Sequence, residues 1–466
     1  MPKKHNITYK NIAKFSRNFN KKRTNKVFKN ANTKSNFENI ITKSDYVQNK
    51  KRVFKKFIDV KTEATDQKNS GRCWIFAFLN IIRINMIKKY NLDNFEFSQN
   101  YLFFYHNLEQ ANYFLNYIYD TKNKKIKNTN DYSIKDLEKI YMLDNLTSDG
   151  GQWKLFYGLV KKYGLIPKTT MDDHYHSKNT KQLKIFYNNF LRKAAFEIRN
   201  SNEKREIILN RILQNCYKIL VFFLGEPPKK ITWQYYTNIS IKDKDKDKDN
   251  RENKKQKVVE NITPLNFYKK IVPYNIDNKI CLINYPCKEM PFYKCYDVDL
   301  GYRVLGENRR SMINVPINIM LELSKKSIDN DEAVWSGVDW NKYRSSSESF
   351  LDKEGFNLND MFGFDNNMEK CNALNYRQSS PSHAVILRGY NFEKGKTNGF
   401  LVENSHGKQE KGFKENYYMS EKWFNEYVFT IVVDKNVVNK KILKCLKQTP
   451  TILPFWSPFS NLLNIK

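Results

Sequence analysis

Residues 66–80 read Asp-Gln-Lys-Asn-Ser-Gly-Arg-Cys-Trp-Ile-Phe-Ala-Phe-Leu-Asn. From Cys73 to Tyr90 the pattern is that of a central helix. Trp74, Phe76, Ala77, Leu79 and Ile81 supply core faces, and Asn80 and Arg83 supply polar ones. The fold is therefore committed to a core helix with a cysteine at its head. A helix N-terminus carries partial positive charge and free N–H groups, and both lower a thiol pKa. Gln67 stands six residues before Cys73, across a tight Ser70-Gly71 turn. Its side-chain N–H is suited to hold a developing oxyanion beside the backbone N–H of Cys73. Taken alone, Cys73 reads as a buried structural cysteine. The glutamine, the glycine turn and the Cys-Trp pair together point to a nucleophile.

Two further elements lie far downstream. His383 opens the apolar, strand-like run 383–390, and Asn404 ends a second such run at 400–404. The two runs form a hairpin with Asn391 to Asn398 as its loop, which brings His383 and Asn404 within hydrogen-bonding reach. A thiol needs a base to become thiolate at neutral pH, and the imidazole must be held in one orientation. Cys73, His383 and Asn404 supply nucleophile, base and orienter. A single histidine in a sheet is ordinarily a structural residue; the order Gln, Cys, His, Asn is not a chance pattern.

At these residues the chain resembles papain-like cysteine peptidases, and within them the bleomycin hydrolase/aminopeptidase C family. The resemblance is carried by Gln67-Lys68-Asn69-Ser70-Gly71-Arg72-Cys73-Trp74, Asp149-Gly150-Gly151-Gln152-Trp153 and Leu224-Gly225-Glu226-Pro227-Pro228. It is extended by Val334-Trp335-Ser336-Gly337-Val338-Asp339 and Val402-Glu403-Asn404-Ser405. It implies an α+β papain-like fold, with a helical half bearing the nucleophile helix and a β-rich half bearing His383 and Asn404. The wide gap from Cys73 to His383 exceeds the roughly 130–150 residues of papain itself, so large insertions are implied. By resemblance Cys73 is nucleophile, His383 general base and acid, Asn404 orienter and Gln67 oxyanion donor. Gly150 and Gly151 match the pair that runs beside the substrate backbone, where close approach tolerates no Cβ. The implied activity is removal of N-terminal residues from peptides by a homohexameric ring, with no cofactor and no metal.

The chain departs from that pattern twice. Where the family reads Asn-Ser-Trp-Gly, this chain reads Asn404-Ser405-His406-Gly407. The family tryptophan covers the His–Asn hydrogen bond; His406 is smaller and titratable, and in its charged form it opposes an imidazolium at His383. The C-terminal arm, which in the family lies in the cleft and restricts substrates to those with a free N-terminus, is about three residues longer here. A longer arm that no longer closes the cleft would make the chain an endopeptidase or amide hydrolase. The neighbouring Asp66, in place of an asparagine, reads as a minor change.

Net charge is +32, and residues 1–56 hold 17 Lys/Arg against Glu38 and Asp45. The first residues, 1–27, read as a disordered basic arm. Such charge attracts nucleic acid non-specifically, a secondary reading of function. Seven cysteines, an odd number, fit a free thiol in a reducing compartment, hence a cytoplasmic location. His174 and His176 form a lone pair without further metal ligands and read as a polar loop. No run of 18 apolar residues occurs, so no membrane span is expected. The domain plan is an arm (1–27), a peptidase unit (28–449) with an inserted helical region (178–222) and a charged loop (240–256), and a C-terminal arm (450–466). The strict Lys-Asp repeat at 242–249 reads as a solvated loop.

Overall fold

A computed structural model describes residues 4–49, 53–122, 133–238, 254–301, 304–307, 311–407, 416–458 and 460. The central helix runs Cys73–Tyr90, as its pattern predicts, and buries 14 of its 18 residues. It ends at Asn91 in the left-handed region, a conformation asparagine tolerates. Helix Gln99–Asp120 follows, with Ser98, a residue type suited to the position, as N-cap accepting from Tyr101 N–H. Helix Trp153–Tyr163 is capped by the Gln152 side chain and stopped at Gly164, whose φ is +77°.

The inserted region forms two long helices, Lys181–Asn200 and Arg205–Leu224. Among the described residues the second is the helix long and apolar enough to cross a membrane by length and composition. Ile208, Ile212, Cys216, Leu220 and Leu224 recur at helical spacing and are buried. That stripe accounts for the helix packing beside Gln99–Asp120.

Among the described residues twelve strands form one sheet. Its centre orders Lys279–Ile283, Val428–Asp434, Val334–Val338, His383–Glu393, Lys396–Glu403 and Asn416–Ser420. The hairpin is tighter than the sequence implies. Its strands extend to Glu393 and from Lys396, and Lys394 and Gly395 turn with φ of 49° and 78°. The strand at Ile231–Asn238 does not join this sheet; it pairs with Lys254–Ile262 in a separate ribbon. The expected charged loop is thus shorter at its end, and the Lys-Asp repeat lies outside the described residues. The helix Ile317–Asp329 begins after Pro316, because Asn314 closes the strand Met312–Asn314.

The N-terminal arm is a correction. Residues expected to be unstructured form helices Tyr9–Lys21 and Arg23–Lys34. Thr8 and Asn11 close a capping box on the first, and neither helix has a fully buried residue. Phe28 packs beside a second small core of Ile41, Phe350, Phe356, Met361 and Tyr418, which ties the arm to the sheet. Charge counts missed this because the apolar residues are sparse between lysines.

At the other end, Thr451–Leu453 adds parallel to Cys295–Val298, and Arg377 donates to the Trp456 carbonyl at 2.8 Å. Residue 459 and residues 461–466 of the C-terminal arm lie outside the described residues. Cys287 and Cys371 are disulfide-bonded across 84 residues, a pairing no local spacing announces; Cys73, Cys216, Cys281, Cys295 and Cys445 are free and buried.

Helix and sheet are joined by buried charge. Glu403 Oε1 accepts from Arg83 Nη2 at 3.0 Å and from Asn80 Nδ2 at 3.2 Å, and Oε2 accepts from Arg388 Nη1 at 2.8 Å. Removing the carboxylate strands two guanidinium groups without their anion. Glu403→Ala is expected to cost about 3–5 kcal/mol, read as an earlier urea midpoint. Lys422→Ala, at the exposed Lys422–Glu354 pair, is expected to cost less than about 1 kcal/mol in the same assay.

Candidate active site

Cys73 is the first residue of its helix, and the preceding Arg72 provides no side-chain cap. The helix N–H groups are therefore left for the sulfur: those of Trp74 and Cys73 itself, with that of Ala384 from the strand His383–Glu393, favour its thiolate. Burial acts against them and pushes the thiol up to about 12.

The turn before Cys73 is closed by its own side chains. Gln67 Nε2 donates to the Ser70 carbonyl at 2.7 Å, and Ser70 Oγ donates to the Gln67 carbonyl at 2.6 Å. Arg72 Nε donates to Ser70 Oγ at 3.0 Å, and its Nη1 meets Asp173 at 2.5 Å in a fully buried ion pair. The sequence reading assigned Arg72 and Asp173 no part; 101 residues separate them. A bidentate-capable cation with no solvent access must have an anion, so the turn is locked in place.

The turn is also stitched to the opposite half. Gln67 N–H donates to the Ser405 carbonyl at 2.9 Å, and Ser405 Oγ donates to Gln67 Oε1 at 2.8 Å. Accepting there fixes the amide so that its nitrogen faces the turn, with one of its two N–H groups used by Ser70. Gly407 N–H donates to the Thr65 carbonyl at 2.9 Å, so segments 65–67 and 405–407 run side by side.

His383 begins its strand, as expected, and Asn404 lies one residue past the end of the neighbouring one. His383 Nε2 and Asn404 Oδ1 are 2.7 Å apart, with both residues buried. An amide oxygen accepts, so His383 Nε2 carries the proton and Nδ1 does not. Burial first, then His406, push the imidazole down to about 3; the Asn404 hydrogen bond opposes them, and Arg344 adds to the lowering. The isolated thiol and imidazole are each held neutral. Moving the proton from Sγ to the ring leaves their net charge unchanged, so nearby charges decide how readily it moves.

His406 stacks on His383 with centroids 5.1 Å apart and planes 15° from parallel. Trp340 packs on His383 at 5.0 Å and was not singled out from sequence; only the fold brings it here from 43 residues upstream. Burial lowers the His406 pKa, Asp66 raises it and Arg344 lowers it. Asp66, which read as a minor change, is thus the carboxylate beside the substituted ring.

Gly150 and Gly151 are held against the helix head. A Cβ on Gly151 would come within 2.5 Å of the Trp74 ring, and Trp74 Nε1 donates to the Asp149 carbonyl at 2.8 Å. Asp149 Oδ2 accepts from Gly71 N–H at 3.2 Å and Thr180 Oγ at 2.5 Å, and Oδ1 pairs with Lys184 at 3.0 Å. Buried His106 contacts the Ser148 carbonyl through Nε2 at 2.9 Å, and burial pushes its pKa down to about 4. Sequence reasoning passed over Asp149 and His106 because their partners are distant. The His174 ring lies against Gly225, and His176 packs edge-on to Phe223.

The acid limb of activity tests the His406 stack. As pH falls, His406 gains charge beside a ring that must itself become charged, which opposes the active pair. His406→Trp is expected to extend the acid limb of kcat/KM to lower pH; an unchanged profile would show that the stack carries no electrostatic weight. Gly151→Ala is expected to cost about 1–3 kcal/mol of stability in thermal unfolding, because Trp74 must move.

Residues 6–460 match the model of the Peptidase C1-like family. The chain is 32% identical over 447 residues to bleomycin hydrolase of Rattus norvegicus, covering 93% of this chain and 94% of the relative. It is 32% identical over 405 residues to aminopeptidase C of Listeria monocytogenes, covering 86% of each. The crystal structure of PepW from Lactobacillus rhamnosis HN001 superposes with a TM-score of 0.88 at 28% identity, over 97% of this chain and 98% of that one.

Proposed function

The chain belongs to the Peptidase C1-like family, and from that membership and the site geometry we infer a cysteine-type aminopeptidase of the bleomycin hydrolase kind. The observation that carries the chemistry is the buried His383–Asn404 hydrogen bond, together with a free cysteine at a helix N-terminus whose sulfur is met by the backbone of Ala384, the residue after His383.

Cys73 is the proposed nucleophile. Its proton passes to His383 Nδ1, and the thiolate attacks the scissile carbonyl, forming the S–C bond and an oxyanion. Gln67 Nε2 and the Cys73 N–H are the proposed oxyanion donors. His383 returns the proton to the leaving amine as the C–N bond breaks, leaving a thioester. Water then attacks, giving its proton to His383; the acid departs and Cys73 regains its proton. Asn404 keeps the imidazole in the required tautomer, and Gly150 and Gly151 are the proposed strip beside the substrate backbone.

Peptides with a free N-terminus are the proposed substrates, with the C-terminal arm as the restricting element. Its approach along Cys295–Val298 and the Arg377–Trp456 bond support an arm held close to the body. The assembly we propose is a homohexameric ring. Exposed Tyr9, Ile12, Phe15 and Phe19 on the first helix support a partner surface there. The cytoplasm is the proposed location, because Cys73 must stay a free thiol; the Cys287–Cys371 disulfide is the observation that runs against a reducing compartment. The +32 charge favours non-specific nucleic-acid binding as a second property, which salt would abolish steeply.

Matched fluorogenic peptides, one with a free N-terminus and one acetylated, test the proposal. Wild type is expected to cleave only the free-amine peptide, and Cys73→Ala neither. Cleavage of both would assign the chain to endopeptidase or amide hydrolysis; cleavage of neither would remove the peptidase assignment. Gln67→Ala is expected to lower kcat by roughly 10²–10³-fold.

A further inference from the structure

The proton that His383 delivers goes to the leaving amine, so the departing part of the substrate must lie on the imidazole side of the site. The segment that forms this side leaves strand Val334–Val338, whose Val338 is the register partner of His383. It passes Trp340, against the His383 ring, and reaches Arg344 on the short strand Arg344–Ser345. The Arg344 guanidinium lies over the Trp340 ring at 5.3 Å and is hydrogen-bonded to Tyr417. It is only partly buried, and it lines a cavity of about 380 Å³ together with Lys342, Tyr343, Phe356, Asn367 and Met368.

Among the described residues no carboxylate lies within ion-pair distance of Arg344. Glu38, an acid of the cavity wall, has its Oε1 engaged by Ser345 Oγ at 2.9 Å and Ser346 N–H at 2.7 Å. Glu426 also lines the cavity; Lys370 gives its Nζ to the Asn425 and Val428 carbonyls, and burial lowers its pKa well below the usual value, so Lys342 and Arg344 are the cations that face Glu38 and Glu426. An arginine stacked on an aromatic ring is oriented as a planar fork, the geometry that recognises a carboxylate. Two successive contacts, of 5.0 and 5.3 Å, separate His383 from Arg344. An extended peptide covers that span in about three residues at ~3.3 Å each.

We propose that Arg344 is a specificity residue for the leaving-group side, selecting a carboxylate within about three residues after the scissile bond. The inference rests on the aminopeptidase assignment and adds what the enzyme prefers downstream of the bond it cuts. The carboxylate is either the C-terminus of a short peptide or an aspartate or glutamate side chain.

The test compares kcat/KM at one pH for peptides sharing an N-terminal residue. One pair ends in Ala-Ala as free acid or as amide; the other carries Ala-Asp or Ala-Asn, both amidated. Wild type is expected to favour the carboxylate member by about tenfold in at least one pair, the worth of a charge-assisted hydrogen bond that is partly solvated. The pair that responds identifies the source of the carboxylate. Arg344→Gln is expected to bring the ratio close to one, and Arg344→Lys to keep part of it. The ratio cancels any effect of Arg344 on His383, which a purely structural role would share between both peptides. Equal rates in wild type, or a ratio unchanged in Arg344→Gln, overturn the proposal while leaving the aminopeptidase assignment standing. Failure of wild type to cleave any of the four, or the fluorogenic free-amine peptide, overturns both.

Discussion

A single buried carboxylate holds the two halves of this protein in register. Glu403 is reached by Arg83 and Asn80 from the central helix and by Arg388 from the adjacent strand. In a site this dry the mutual attraction is strong, but so is the cost of leaving any member unpaired. The arrangement tolerates only one relative placement of helix and sheet. The residue after Glu403 is Asn404, which orients His383. The helix that carries Arg83 begins at Cys73. Cys73 and His383 are therefore positioned by a charge cluster that touches neither of them.

A second tier of contacts refines that placement. Segment 65–67 runs beside 405–407, so the glutamine and the strand end are fixed by backbone hydrogen bonds. Arg72 with Asp173, and Asp149 with Gly71, Thr180 and Lys184, clamp the turn and the glycine strip against the helix head. The polar groups of the site are satisfied by each other instead of by water. That is the condition under which a few N–H groups weigh heavily on a developing charge. Burial also keeps the thiol and imidazole neutral until a proton moves between them. The neighbours of His383, which are His406, Trp340 and Arg344, then set how that transfer responds to its surroundings.

The substitution at His406 also has a structural context that the linear pattern hides. The ring is smaller than a tryptophan, yet His383 is not left bare, because Trp340 packs on it from another strand connection. Asp66 lies against Gly407 and beside His406, so the two departures from the family pattern at the site are spatial neighbours. One supplies a titratable ring and the other a carboxylate that favours its charged form. The same strand connection that brings Trp340 also carries Arg344 toward the leaving-group side.

Local chemistry made several parts legible in the sequence. The central helix, the Ser98 cap and the strand starting at His383 follow from periodicity and capping chemistry, which act within a few residues. The set Gln67, Cys73, His383 and Asn404 was legible because each residue type has a distinct chemical use and the order is unusual. The helical arm was not, since Thr8 and Asn11 make a cap that net charge conceals. Arg72–Asp173, Glu403 with its two arginines, the Cys287–Cys371 bridge and Trp340 beside His383 were beyond reach. Their partners lie tens to hundreds of residues apart, and one sequence holds no signal for pairing at that range. Sequence alone determined which groups this protein has for its chemistry. Tertiary structure decided which charges surround them, because desolvation and proximity exist only once distant segments are packed together.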